Sequence, residues 1–384
     1  MWFLKTVSVV AGLLVIGAVL GSALQTVVLP RLGFTRISQF VFGLVHRLMV
    51  HRVGSKRRQE ARLSLFAPVA LVSLPLAWIL LVTLGFALIY WGLNAGSGAY
   101  AIDVSGSSLL TLGFTKPSNQ GLVWITFVEA TIGLGLVALL ISYLPVIYGA
   151  YNVRERGMKV LRPFAGTPPS AIDFLQRLEV SEAVDNQDTW TRISGWLVDL
   201  EESHTSFPAL TYFPNQSSDQ SWVATAGAAM EAAALVLSVG DAASVRADPG
   251  PVLVMTYGCP ALANVARAAG LPVAEAEFVT DLITKLDEPP PPISVTRQEF
   301  EETLPTLSSL GLVHGSDPEM AWRRYAWLRS NFDKPLRGLA GLTGAPPAPR
   351  TTDRPARVGR PRLTGRRPLP VDWSPGLPVA SPSG

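Results

Sequence analysis

Tyr100-Ala-Ile-Asp-Val-Ser-Gly-Ser-Ser-Leu-Leu-Thr-Leu-Gly-Phe114 lies between two long apolar segments. It reads as a re-entrant segment, a short helix that enters a membrane and returns as extended backbone. A bilayer tolerates such backbone only where it is buried in protein or lines a water-filled path.

Working outward, three stretches can span a hydrocarbon core, which takes about 20 helical residues: residues 7–28, 67–92 and 122–151. Only the third carries a charge, Glu129. Charged residues make up 16% of the 384-residue chain, against about 25% in a typical globular protein. The expected fold is an all-α membrane protein. It has three transmembrane helices, a re-entrant pore loop between the second and third, and an α-helical cytoplasmic domain after them. The domains expected are an N-terminal transmembrane helix (1–30), a basic amphipathic segment (31–64), a pore module (65–156), a helical cytoplasmic domain (165–345) and a disordered Pro/Arg-rich tail (346–384).

The net charge of +3 hides a division. Residues 1–164 carry fourteen Lys and Arg against four acids, residues 165–345 carry eleven against twenty-three, and the last thirty-nine carry seven Arg against two Asp. The basic pI describes no part of the chain, so it gives no ground for a nucleic-acid partner. Eight Lys and Arg against Glu60 alone separate the first two spans, and four more follow the third. Positive charge stays cytoplasmic, which predicts the plasma (inner) membrane, the N-terminus outside and the C-terminus in the cytoplasm. A cleaved signal peptide is the alternative for the first span, with Lys5 before the apolar run and Gly21-Ser22-Ala23 at its end. Cleavage would leave the basic segment outside.

Within residues 31–64, Ile37, Phe40, Val41, Leu44, Val45 and Leu48 recur at helical spacing, with Arg36, His46, Arg47 and His51 largely off that stripe. This predicts an amphipathic helix on the inner membrane surface. A polybasic turn follows, Lys56-Arg57-Arg58, suited to anionic lipid headgroups; enforcing topology is the compatible alternative. His46 and His51 are five apart, which does not fit a helical metal pair, and no metal site is expected.

Span, short helix, Thr-x-Gly-aromatic and span, over about residues 67–156, resemble the pore of two-transmembrane potassium channels. In that family the filter runs Thr-x-Gly-Tyr/Phe-Gly. Thr111, Leu112, Gly113 and Phe114 match its first four places, and Thr115 stands where the second glycine belongs. The resemblance implies rings of backbone carbonyls around dehydrated ions, a Thr111 hydroxyl lining the innermost site and a Phe114 ring packed behind the filter. It implies a permeant monovalent cation, potassium in the family, and no other cofactor. Two departures weaken potassium selectivity. Thr115 bears a Cβ where positive φ would make it an outlier, and Lys116 replaces the usual aspartate, setting positive charge at the outer mouth.

Asp103, Ser105, Ser107 and Ser108 belong to the pore helix and its support. Glu129 is an intramembrane carboxylate and a functional candidate by default. It is expected either to hydrogen-bond Ser105, Ser107 or Ser108 behind the filter, or to be a solvated interfacial glutamate. Gly133, Gly135 and Pro145 in the third span look like gating hinges, with helix packing the alternative for the glycines. One pore loop cannot enclose an ion, so the reading requires a homotetramer in contact with membrane lipids. No span carries arginine at every third position, so steep voltage sensing is not expected.

Gly166-Thr167-Pro168-Pro169 ends the third helix. Beyond it, residues 188–203, 222–239, 252–269, 296–307 and 318–332 show helical spacing, with Thr296 and Glu299 forming a capping box and Asp317-Pro318 a helix start. Residues 252–257 fit a strand equally. Pro289 to Pro292 read as a stiff linker. His204 and His314 are isolated, Cys259 has no partner in the sequence, and no catalytic constellation or phosphate-binding loop is present, so no enzyme is expected. A cytoplasmic protein partner fits the acidic domain. The competing readings are a pore-loop cation channel and a non-conducting membrane anchor that presents a helical interaction or scaffold domain.

Overall fold

Long apolar runs become long helices. Among the described residues four helices are apolar enough to cross a bilayer: α1 (Trp2–Val27), α2 (Lys56–Gly92), α4 (Gln120–Ala165) and α7 (Trp222–Val239). The computed structural model describes residues 2–27, 37, 40–41, 44–45, 56–180, 186–213, 215, 220–277, 288–314, 317–359 and 368–374. It is 74% helical with almost no strand. The chain divides into two compact units, Met1–Gly149 and Ala150–Gly384.

In the first unit α1 and α2 pack antiparallel. Ser8 Oγ donates to the Leu88 carbonyl at 2.8 Å, and Trp78 Nε1 donates to Ser22 Oγ at 3.2 Å. The helices cross where a Cβ on Gly12 would lie 2.4 Å from the Gly85 carbonyl oxygen. Small residues at such crossings let apolar helices gain close van der Waals contact, which drives their association in lipid. Helix α2 begins at Lys56, so Lys56, Arg57 and Arg58 form its first turn. The expected polybasic turn is replaced by helix because Gln59, Glu60, Ala61 and Arg62 are all good helix formers. Of the predicted amphipathic stripe, Ile37, Phe40, Val41, Leu44 and Val45 are helical; Val41 and Val45 are buried with α1 and α2, while Phe40 and Leu44 are exposed. Arg36, His46, Arg47, Leu48 and His51 lie outside the described residues.

The second unit contains the end of α4, α5 (Ala171–Val180), α6 (Asn186–Ser206), a 3-10 turn (Pro208–Tyr212), α7, α8 (Ala242–Ala247), α9 (Gly250–Ala268), α10 (Arg297–Glu301), α11 (Leu304–Ser309) and α12 (Pro318–Thr343). Residues 252–257 are helical within α9. The expected helix at 296–307 is two short ones, and the Thr296–Glu299 capping box opens the first. Helix α7 is alanine-rich, and α5, α9 and α12 pack around it. Its apolar window is 89% buried by the protein itself, against 17–44% for the other three candidate spans. Length and hydropathy alone therefore do not separate a core helix from a span.

Fully buried Glu231 on α7 organises a charged network. Arg329 Nη1 lies 2.6 Å from Glu231 Oε2, the Tyr325 hydroxyl donates to Glu231 Oε1 at 2.6 Å, and Arg329 Nε donates to Asp333 Oδ1 at 3.0 Å. Arg337 donates to the Arg354 carbonyl at 2.9 Å, and Arg354 Nη1 donates to Glu299 Oε2 at 3.0 Å. Burial alone would raise the Glu299 carboxyl, but bonds from Arg354 and Thr296 hold it down at about 2.

Of the tail expected to be disordered from residue 346, the described residues 346–359 and 368–374 are packed. Thr351, Thr352, Asp353 and Arg354 are buried, and β1 (Arg357–Val358) pairs antiparallel with β2 (Val371–Asp372). Arg354 pairs with Glu299 and donates to the Ser294 carbonyl, and Arg350 donates to the Glu299 carbonyl, partners that composition does not reveal. Residues 360–367 and 375–384 lie outside the described residues. Breaking a buried ion pair from one side leaves the other charge uncompensated. Arg329→Met is therefore expected to lower stability by about 3–5 kcal/mol, measured by denaturant unfolding of the full chain in detergent.

His204 at the end of α6 is buried, with Nδ1 2.9 Å from the Leu200 carbonyl and its ring 4.9 Å from the Trp222 ring. Burial, then the nearby Arg154 charge, push the imidazole from 6.5 down to about 3. The unfolded chain thus binds the proton first. This contribution to stability is full above about pH 6.5 and is lost as pH falls toward about 3. Thermal unfolding across that window should show a steeper acid-side loss in the native protein than in His204→Phe.

Candidate functional site

A short helix, α3 (Gly98–Leu109), stands between α2 and α4. Ser97 caps it, its hydroxyl accepting from the Tyr100 N–H at 3.2 Å. Three contacts locate α3 along its neighbours. Ser105 Oγ donates to the Thr83 carbonyl at 2.9 Å, Ser105 also meets Glu129, and a Cβ on Gly133 would lie 2.1 Å from the Leu109 carbonyl oxygen. At 1.5 Å per residue, Thr83 is about 14 Å along α2 from Gly92, and Glu129 is about 14 Å along α4 from Gln120. Leu109 lies about 6 Å beyond Ser105, and Gly133 lies about 20 Å along α4. These positions agree: α3 runs back alongside both long helices, and residues 110–119 return to the start of α4.

The end of α3 is a Schellman motif. The Thr111 N–H donates to the Ser108 carbonyl at 3.0 Å, and the Leu112 N–H donates to the Ser107 carbonyl at 2.8 Å. Such motifs place a left-handed residue just past the helix, usually glycine. Here it is Thr111, at φ 55°, followed by Gly113 at 73°. A β-branched residue in that region costs about 1–3 kcal/mol. Thr115, where the sequence put the conformational conflict, does not adopt positive φ, and the strained residue is Thr111.

Ser107 gathers the returning chain. Its carbonyl accepts from Leu112 and Gly113, and its hydroxyl accepts from the Thr115 N–H at 3.1 Å. Ser107 is buried, whereas Thr111, Leu112, Gly113 and Phe114 are exposed. Ser108 donates to Val104 within α3 at 2.8 Å. Asp103 is exposed, as is Lys116, whose carbonyl accepts from the Tyr100 hydroxyl at 3.0 Å.

Glu129 is fully buried. Of the three serines, Ser105 is the one bonded to it, and the Tyr90 hydroxyl of α2 donates to Glu129 Oε2 at 2.8 Å. Helical side chains lean toward their own N-terminus, so Tyr90 on α2 and Glu129 on the oppositely directed α4 lean toward each other. Sequence reading missed Tyr90 and the Thr83 carbonyl. The signal for Tyr90 was a phenol in an apolar span, whose hydroxyl needs a partner when buried.

Helix α4 runs unbroken through Gly133, Gly135 and Pro145. Gly133 seats the end of α3, while a Cβ on Gly135 would meet open space. Side chains of Lys56, Arg57 and Arg58 lie outside the description. Among the described residues no group of three His, Cys, Asp or Glu could hold a metal ion. Cys259 is buried in α9, and burial raises its thiol.

No protein-family model matches this sequence, and no curated protein or solved structure matches it significantly.

Overpacking a close contact costs about 1–3 kcal/mol. Gly133→Ala should therefore destabilise the protein by about that amount and Gly135→Ala should not, as read by thermal unfolding in detergent. Equal effects at both positions would favour a hinge over a seat for α3.

Proposed function

We propose that this chain is the subunit of a pore-loop cation channel, resembling potassium channels, in which four copies surround an axis. The carrying observation is that α3 and residues 110–119 double back between two long apolar helices, with Ser107 holding Leu112, Gly113 and Thr115. Non-helical backbone between membrane helices is tolerated where it lines a water-filled cavity, and strained backbone clusters at functional positions. On this reading the segment is re-entrant, Thr111 to Thr115 form the selectivity filter, and the N-terminus lies outside with the C-terminal domain in the cytoplasm.

A homotetramer accounts for two features of the single chain. Thr111 to Phe114 are exposed, as residues facing a shared axis would be. Helix α4 is the least covered of the candidate spans, with Trp124, Phe127, Leu134 and Ile141 all exposed, so lipid and neighbouring copies would complete its surroundings. Thr115 and Lys116 argue for selectivity among monovalent cations weaker than that of the family.

A non-conducting membrane anchor is the second reading, and the densely packed second unit favours it as a presented interaction domain. Reconstituted full-length protein should pass monovalent cations, and Gly113→Val and Gly113→Asp should abolish that flux. Flux surviving both changes excludes this filter. Absence of flux together with a monomeric native mass in mild detergent selects the anchor.

A further inference from the structure

Among the described residues Glu129 has no positive partner. From α2 it is faced by Tyr90, and from α3 by Ser105; Asp103, two positions from Ser105 on α3, is exposed and points to a different face. An isolated ionised carboxylate in an apolar interior is strongly disfavoured. The hydrogen bonds decide how this one is accommodated.

Three oxygen–oxygen contacts run in series: Thr83 carbonyl to Ser105 Oγ, Ser105 Oγ to Glu129 Oε1, and Glu129 Oε2 to the Tyr90 hydroxyl. Each contact needs one proton between its oxygens. The carbonyl supplies none, and Ser105 and Tyr90 supply one each. Ser108 on the same helix spends its own hydroxyl proton on the Val104 carbonyl. Among the described residues the third proton has one remaining source, the carboxyl group.

We propose that Glu129 is a proton-binding site, and that its bound proton ties α3 to α2 and α4. Tyr90 donates to Oε2, the carboxylic acid donates through Oε1 to Ser105, and Ser105 donates to Thr83. On loss of the proton the Ser105 hydroxyl turns to the carboxylate, and the bond to Thr83 breaks. The attachment of α3, and with it the geometry of residues 110–115, thereby depends on pH. The assignment stands whether or not the loop conducts, because its test reads the carboxyl group itself.

Infrared spectra of the full chain in lipid vesicles provide that test. Wild type at neutral pH should show the carbonyl stretch of a neutral carboxylic acid that Glu129→Gln lacks. The Gln amide reproduces the pattern, its NH2 donating to Ser105 and its oxygen accepting from Tyr90, so this variant should melt at the wild-type temperature. Ser105→Ala should keep the band and shift its frequency, since the acid loses its acceptor. Alkaline titration should remove the band from wild type. A wild-type spectrum at neutral pH without a band sensitive to Glu129→Gln overturns the proposal. Should Glu129→Gln fail to fold, a band at the same position in wild type and Ser105→Ala overturns it equally.

Discussion

A backbone that leaves helical geometry between apolar helices must find partners for its freed N–H and C=O groups within the protein. In the first unit that requirement falls on a few hydroxyl-bearing side chains. Ser97 opens the short helix, Ser107 closes the loop beyond it, and Ser105 fixes its side to α2 and α4. Everything attributed to residues 111–115 depends on these attachments, because Leu112, Gly113 and Phe114 are exposed and contribute no burial of their own. The polar residues of the segment serve its architecture first, and any chemistry at the loop is built on top of that.

The second unit solves a different problem by similar means. An alanine-rich helix offers little side-chain volume for packing, so its neighbours approach closely and exclude water from Glu231. Once dry, that carboxylate needs compensation, and Tyr325 and Arg329 supply it from a helix roughly a hundred residues later in the chain. Charge pairs of this kind rarely add net stability over apolar side chains of similar volume, but they penalise any packing that separates them. Register between α7 and α12 is the property they enforce most directly.

Local signals were legible in the sequence. Apolar length gave three of the long helices, Gly166 with two prolines marked the end of α4, and Thr296 with Glu299 marked the start of α10. The placement of a short helix within residues 100–114 followed from its neighbours. What escaped were partners distant in sequence. Ser105 and Glu129 could be paired as hydroxyl and carboxylate on adjacent elements, whereas Tyr90 required knowing which face of α2 meets them. The packing of residues 346–359 escaped for the same reason: Pro, Gly and Arg suggest too little apolar surface to fold. Arg354 instead satisfies Glu299, fifty-five positions earlier. Composition measures what a segment can bury against itself and is silent on what it can complete elsewhere.

That completion has a consequence for the order of assembly. Arg350 and Arg354 follow every helix among the described residues, yet Arg354 neutralises Glu299 and β1 lies against α12. During synthesis the apolar helices of the first unit emerge long before the residues that finish the second. The helical domain therefore reaches its final form only after Arg354 and the β1–β2 pair have been made, with the apolar helices that precede them already synthesised. A truncated product lacking the last forty residues would carry the same helices but would leave Glu299 without its guanidinium and α12 uncovered.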